Sequence, residues 1–293
     1  MQKGANLHGI IDGVISFCMI AKNEERDIAA CLESVRGLAG ETIVVDTGST
    51  DRTRAIAAEY GAEVIPFDFT FVDFAAARNC AIGRARGEWI LMLDADETLA
   101  PGSAAGIEKL AAEDRNAGYF LERVNRSSEA EKPFTDHVVR LFPKRPGIGY
   151  RGRVHETVDA SILAGGGKLI RTAIRIDHRF RADAEARRRK NLWYIEILKE
   201  EIAADPADHS RLDFLAAEYH QLEMFPEATE VAERIARVRP NDARAHLFVG
   251  VYHLLYRPDL PRARADFERA LELRPGYPEA ESFLRLVEEK ERG

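Results

Sequence analysis

The chain has 293 residues, of which 45% are hydrophobic and 31% charged, with a formal net charge of −7. This composition excludes a disordered or collagen-like chain, and the acidic balance argues against a nucleic-acid binder, which is usually basic. At roughly 100–200 residues per domain, the length predicts two domains. The three cysteines follow no CxxC spacing, which favours a reducing, cytoplasmic setting.

The first apolar stretch, Ile10–Ala21, is expected to form a buried strand. It carries Asp12 and lacks the basic flank and cleavage site of a signal peptide. No apolar run reaches the ~20 residues that a membrane-spanning helix needs. We therefore expect a chain without a transmembrane segment.

Apolar runs alternate with amphipathic helices over the first hundred residues. Strands are predicted at Val14–Ala21, Thr42–Val45, Glu63–Pro66 and Trp89–Leu93, and helices around 28–35 and at Arg52–Tyr60 and Phe74–Arg86. Such alternation is typical of right-handed crossovers and a mostly parallel sheet.

Shorter strands separated by glycine- and proline-bearing turns are predicted between about 118 and 178. They are expected at Tyr119–Val124, Val138–Phe142, Val154–Val158 and Leu169–Ile176. We expect these strands to extend the sheet with antiparallel pieces.

From about Ala182 the sequence predicts helices with a period of 34 residues. Pro206 and Pro240 are 34 residues apart, Pro275 follows 35 residues later, and small residues recur before the last two prolines. This pattern resembles the tetratricopeptide repeat, in which a helix pair forms each unit. The expected domains are therefore 1–181 and 182–293, with an ordinary helical bundle as the alternative for the second.

Acidic and small polar residues follow three of the predicted parallel strands, at 21–25, 46–51 and 94–97. Ligands bind at the carboxyl ends of strands in an open parallel sheet, so these segments are expected to share one edge. Helix capping is the competing explanation, and we favour it for Asp51.

Asp94 and Asp96 flank one small residue and point the same way in an extended backbone. Adjacent carboxylates repel unless one is protonated or a cation bridges them. Hard oxygen ligands suit Mg²⁺ or Mn²⁺, which we favour over a solvated acidic turn.

Four stretches, taken in order, resemble the nucleotide-sugar-binding half of a family 2 glycosyltransferase of the GT-A fold. They are MIAKNEE at 19–25, VDTGSTDRT at 45–53, ARN at 77–79 and GEWILMLDADE at 87–97. The likeness continues through RLF at 140–142, VHE at 154–156 and DHRF at 177–180 into the repeats, as in a bacterial subgroup with a C-terminal tetratricopeptide region. The resemblance implies an α/β GT-A domain followed by an all-α repeat domain.

The resemblance also implies roles for single residues. Asp46 would hold the base or ribose of a nucleoside diphosphate sugar, and Arg78 would pair with the diphosphate or with Asp94. The complete nucleotide-sugar-binding set is Ala21, Asn23, Glu24, Asp46, Ser49, Arg78, Asp94 and Ala95.

Metal and catalytic residues follow from the same likeness. Asp96 and His178 would hold Mn²⁺ or Mg²⁺, with His155 as an alternative ligand. Glu156 would be the base that takes a proton from the acceptor, and a surface ion pair with Arg151 or Arg153 is the alternative.

The predicted function is that of a cytoplasmic, metal-dependent, inverting glycosyltransferase that uses a UDP-sugar. Repeats offer a groove for extended peptides, so a protein or peptide acceptor is expected, with a saccharide or lipid-linked acceptor left open. Self-association is another use for the repeats. The rival function is a repeat scaffold that carries a catalytically inactive nucleotide-sugar-binding domain.

Overall fold

The computed structural model describes residues 15–113, 116–127, 132–180, 184–256 and 258–292. The chain divides into two compact units, Met1–Arg181 and Ala182–Gly293. The part of the predicted first strand before Ile15 lies outside the described residues.

The described strands of the first unit form one mixed sheet at its centre. Its strands are β1 (Ile15–Ala21), β2 (Glu41–Asp46), β3 (Glu63–Pro66), β4 (Trp89–Met92), β5 (Glu97–Leu99), β6 (Ala117–Ser127), β7 (Phe134–Pro143) and β8 (Lys168–Phe180). The helices of this unit are α1 (Ile28–Ser34), α2 (Thr53–Glu59), α3 (Phe74–Arg84), α4 (Ala104–Ala112) and α5 (Asp159–Ala164). Across the sheet the strand order is β3-β2-β1-β4-β7-β6-β8-β5.

Strands β1 to β4 form the parallel half of the sheet that the sequence predicts. All four side chains of β4 are buried, because both faces of this strand are covered. Trp89 and Leu91 pack in the core that contains α1 and α4, whereas Ile90 and Met92 pack in the core that contains α3. Because successive side chains of a strand point to opposite faces of the sheet, this one apolar run contributes to two cores.

The middle of the chain differs from the prediction in two respects. β7 pairs antiparallel with β4 and β6, and β5 with β8, but β6 and β8 run parallel. The strand predicted at Val154–Val158 is wrong. His155 has a φ of 49°, which interrupts an extended backbone, and the segment has one isolated bridge, between Arg151 and Thr157.

The described part of the second unit is helical, as predicted. Its helices are α6 (Ala184–Ala204), α7 (Ser210–Gln221), α8 (Phe225–Val238), α9 (Ala243–Leu255), α10 (Leu260–Leu273) and α11 (Pro278–Arg292). Pro240 and Pro275 follow directly after the capping residues of α8 and α10, in agreement with the repeat pattern. Gly250 lets α9 approach α10, because a Cβ there would come within 2.6 Å of the Phe267 ring.

No helix in the described ranges is both long enough and apolar enough to cross a membrane.

Candidate functional site

The three predicted site segments share one edge of the sheet. Ala21, the last residue of β1, is the register partner of Asp46, the last residue of β2. After β4, the backbone N–H of Leu93 donates to the carbonyl of Cys18 on β1. The segments 21–25, 46–51 and 94–97 therefore leave the sheet side by side.

Hydrogen bonds join the loops that follow β1 and β2. The backbone N–H of Asn23 donates to Ser49 Oγ at 3.0 Å, and Asn23 Oδ1 accepts from the backbone N–H of Thr50 at 2.8 Å. The backbone N–H of Glu24 donates to Thr53 Oγ1 at 2.7 Å. Asn23 adopts a φ of 59°, a conformation that asparagine tolerates better than most residues.

Asp46 is 3% exposed and shapes its own loop. Its carboxylate accepts hydrogen bonds from the backbone N–H groups of Gly48 and Ser49 at 3.2–3.3 Å. Asp51 accepts from the backbone N–H of Thr53 at 2.9 Å and from that of Glu25 at 3.1 Å, so it joins the start of α2 to the loop after β1.

Asp94 is held between two buried arginines. Its Oδ1 accepts from Arg78 Nη2 at 2.7 Å, and its Oδ2 accepts from Arg140 Nη2. Burial alone would raise the pKa of Asp94, but the positive charges of Arg140 and Arg78 hold that pKa well below its usual range. Asp94 is therefore a fixed carboxylate, and its partnership with Arg78 is one of the two that the resemblance implies.

Arg78 also connects this carboxylate to Glu156. Arg78 Nε donates to Glu156 Oε1 at 2.7 Å, and the Glu156 side chain is 12% exposed. Glu156 is thus largely buried against α3 and is not a surface residue. The predicted catalytic base and the predicted donor-side aspartate lie on either side of one guanidinium.

Arg140, Arg123 and Asp136, which were not predicted from the sequence as site residues, continue this chain of ion pairs through Glu97. Arg140 Nη2 donates to Glu97 Oε1 at 2.6 Å, and Glu97 has no exposed surface. Arg123 lies 3.4 Å from Glu97 and donates to Asp136 at 2.6 Å. Arg140 could have been found from the sequence, because it stands among the apolar residues at the end of β7. A charged residue is almost never fully buried without a partner, so its position predicts an ion pair.

Asp96 and His178 meet although they are 82 residues apart. His178 Nε2 lies 3.2 Å from Asp96 Oδ2, and His178 Nδ1 lies 2.7 Å from Asn125 Oδ1. Burial lowers the pKa of His178, but the hydrogen bond to Asp96 and its charge outweigh burial and raise that pKa above its ordinary value. His178, one of the two histidines considered from sequence, is thus a direct neighbour of Asp96.

This pair suits a cation that a ligand helps to hold. Within the described ranges, no group of three or more His, Cys, Asp and Glu side chains is arranged to hold a metal ion. Mg²⁺ commonly takes one or two carboxylates plus substrate phosphates, and imidazole also suits Mn²⁺. The carboxylate of Asp96 and the imidazole of His178 are therefore donors that fit Mg²⁺ or Mn²⁺.

Glu24 marks the acidic character of this edge. Burial raises the pKa of Glu24 to about 7, and the negative charges of Asp96, Asp27 and Asp94 add to the effect. Ala95, in contrast, has its side chain buried in the core, so a ligand here would meet its backbone. The edge thus attracts positive charge beside Asp96.

Comparison with known proteins agrees with this geometry. The family model of glycosyl transferase family 2 matches residues 16–178. A TPR repeat-containing protein of Synechococcus elongatus is 41% identical over 150 residues, which are 51% of this chain and 36% of that protein. The glycosyltransferase SunS of Bacillus subtilis is 32% identical over 143 residues, 47% of this chain and 33% of that protein. The chain spans only about a third of the length of these two relatives.

Among solved structures, the chain resembles S. aureus TarS 1–349 in complex with UDP-GlcNAc, with a TM-score of 0.53. The two are 16% identical, and the match covers 95% of this chain and 91% of that one. At this identity the likeness shows the fold, an α/β sheet domain of the GT-A type followed by a helical region. The fold class predicted from the sequence is confirmed.

Proposed function

The chain belongs to glycosyl transferase family 2, and on this basis we propose that it transfers a sugar from a nucleoside diphosphate sugar to an acceptor, with inversion at the sugar carbon. A UDP-sugar is the proposed donor, supported by the UDP-GlcNAc bound to the S. aureus structure of similar fold. The observation that carries the proposal is the Arg78 bridge between Asp94 and Glu156, beside Asp96 and His178.

The joined loops after β1 and β2 form the proposed nucleoside end of the site. Asp46 would contact the base or ribose, and the other residues of these loops would line it, namely Ala21, Asn23, Glu24 and Ser49. Asp94 and the backbone of Ala95 would contact the ribose or the sugar, with Arg78 fixing the Asp94 carboxylate.

Asp96 and His178 are the proposed ligands of Mn²⁺ or Mg²⁺. When bound, such a cation neutralises negative charge on the departing nucleoside diphosphate.

Glu156 is the proposed base. It would take the proton from the acceptor as the acceptor atom bonds to the sugar carbon and the bond from that carbon to the diphosphate oxygen breaks. Attack on the face opposite the leaving group inverts the sugar carbon, by the carboxylate logic of inverting glycosidases. Arg78 would hold the Glu156 carboxylate in place for this step.

A protein or peptide acceptor is proposed for the helical unit, because helical repeats offer grooves for extended chains. A saccharide acceptor and self-association are the alternatives, and the cytoplasmic setting is proposed from cysteine usage. The rival function, an inactive scaffold, is disfavoured by the buried charges of Glu97 and Arg140. Buried charges of this kind are costly, and a scaffold has no chemical need for them.

Release of UDP from a panel of UDP-sugars, with and without Mn²⁺, tests the proposal. We expect Asp96→Asn to lose the Mn²⁺ stimulation and Glu156→Gln to bind UDP normally but to lose turnover. Glu113→Gln is the matched control, because Glu113 is an exposed acid on α4's C-terminal cap.

Two outcomes would contradict the proposal. Equal UDP release by the wild type and by Asp96→Asn from every donor would remove the metal assignment. A wild type that binds no UDP, with or without Mn²⁺, would favour the inactive scaffold.

A further inference from the structure

We propose that Asn125 is a positioning residue that fixes the tautomer of His178. By accepting a hydrogen bond from Nδ1–H, Asn125 leaves the lone pair of Nε2 facing Asp96, where the cation of the proposed function would bind. The role in metal binding rests on that proposed function. The control of the His178 tautomer rests on the hydrogen bonds of Asn125 alone.

Asn125 is built into the sheet beside His178. The two residues are register partners on β6 and β8, which run parallel, and Asn125 is 3% exposed. Asn125 Oδ1 lies 2.7 Å from His178 Nδ1, a short hydrogen bond within the first unit. A buried side chain with this contact restricts the imidazole ring that it touches.

The surroundings of Asn125 determine which way its amide points. Its Nδ2 donates to Asp136 Oδ1 at 3.2 Å and lies 3.4 Å from the carbonyls of Arg123 and Phe134. All three neighbours are acceptors, so a flipped amide would set oxygen against oxygen. Asp136 is itself held by two hydrogen bonds from Arg123, at 2.9 and 2.6 Å.

The fixed amide has a direct consequence for the ring. An acceptor at Asn125 Oδ1 requires hydrogen on His178 Nδ1, so in the neutral ring the lone pair belongs to Nε2. That atom lies 3.2 Å from Asp96 Oδ2, which also carries lone pairs. Two such acceptors face each other stably with positive charge between them: a proton on Nε2 makes the ring a cation that donates to Asp96, and a divalent cation would take the place of that proton. Partners of this kind orient metal-binding histidines in many proteins.

A purely structural role for Asn125 would leave the tautomer of His178 unchanged. Nitrogen NMR spectra of the imidazole ring therefore distinguish a structural role from a positioning role. Protein labelled with ¹⁵N-histidine is examined at alkaline pH, and the His178 signals are identified by their loss in His178→Gln. We expect wild-type His178 to carry hydrogen on Nδ1 only. In Asn125→Leu we expect hydrogen on Nε2, donated to Asp96.

The double variant Asn125→Asp with Asp136→Asn is the matched control. It keeps an oxygen facing His178 Nδ1, an amide opposite a carboxylate, and the net charge. Its one cost is that a carboxylate oxygen replaces the amide nitrogen near the carbonyls of Arg123 and Phe134. We expect it to retain the wild-type tautomer. In a Trp193→Phe background, tryptophan fluorescence shows that each variant is folded, since the remaining Trp89 is fully buried in the same unit.

Calorimetric titration of Mn²⁺ into UDP-saturated protein tests whether Asn125 strengthens metal binding by orienting His178. Loss of a residue that orients a metal ligand typically weakens metal affinity by roughly 10–100-fold, which we expect for Asn125→Leu. The control should stay close to the wild type, and UDP affinity without Mn²⁺ should be unchanged in all three.

The two proposals fail separately. An unchanged tautomer in Asn125→Leu would overturn the positioning role, whatever the metal affinity. A wild type that binds UDP but no Mn²⁺ would overturn the cation site of the proposed function, and with it the metal-orienting purpose of Asn125.

Discussion

Replacing Arg140 by methionine is expected to destabilise the first unit strongly. The guanidinium is buried and donates through Nη2 to both Asp94 and Glu97. Removing one partner of a buried ion pair costs ~3–5 kcal/mol. Asp94 keeps Arg78, and Glu97 keeps Arg123 at 3.4 Å, so we expect the lower end, ~3 kcal/mol. That is a factor of about 150 in the folding equilibrium constant.

Arg140→Lys provides the control. Both contacts come from one nitrogen, and Arg140 Nε has no hydrogen-bond partner among the described residues. A lysine ammonium can therefore replace the contacts, and we expect a loss of ~1 kcal/mol or less. Adding Glu97→Gln to Arg140→Met should recover part of the stability, because one of the facing negative charges is removed.

Urea unfolding followed by tryptophan fluorescence measures these differences. The chain has two tryptophans, Trp89 in β4 and the 43% exposed Trp193 in α6. In a Trp193→Phe background the signal reports the first unit alone, which matters because two units need not unfold together. A stability of Arg140→Met within about 1 kcal/mol of the wild type would contradict the expected cost of breaking this buried ion pair, and so would an equally large loss in Arg140→Lys.

Two further predictions concern packing and pH. Gly250→Ala should destabilise the helical unit by ~1–3 kcal/mol in a thermal melt, because its Cβ would meet Phe267 at 2.6 Å. Gly83→Ala, with nothing within 4 Å of its Cβ, should be neutral or stabilising, and equal melts for both would contradict the packing. Glu24 has its pKa raised from 4.5 to about 7, so its stability contribution is greatest below 4.5 and is lost as pH rises through about 7. Glu24→Gln should therefore raise the free energy of unfolding in urea by ~1 kcal/mol at about pH 8, a value discounted because Glu24 is partly exposed. At about pH 4 it should leave that free energy unchanged. An equal increase at both pH values would exclude titration of Glu24 as the cause.

The sequence predicts the parallel half of the fold because the signal there is local. An apolar run such as Trp89–Met92 and the helix that follows each strand are visible within short windows. β5 pairs with β8 in a register that places Glu97 opposite His178. These residues are too far apart in the sequence for a short window to contain both. The wrong strand at Val154–Val158 has a similar origin, since buried valines occur in a tight loop as well as in a strand.

The same distinction applies to the site. Asp46 and Asp94 could be predicted because both follow parallel strands, and strand ends of one half-sheet share an edge. The pairings of Glu156 with Arg78 and of Arg140 with Glu97 join residues 78 and 43 positions apart. Side chains of this kind carry no local pattern, so the complete fold is needed to bring them together.

The hydrogen bonds between the loops after β1 and β2 bear on how a ligand would bind. Asn23, Ser49 and Thr50 are already joined in the chain alone, and Thr53 ties the same loops to the start of α2. Ordering flexible loops at the moment of association weakens affinity. At the proposed nucleoside end of the site, a nucleotide would meet loops that folding has already ordered. Little of its binding free energy would then be consumed in ordering them.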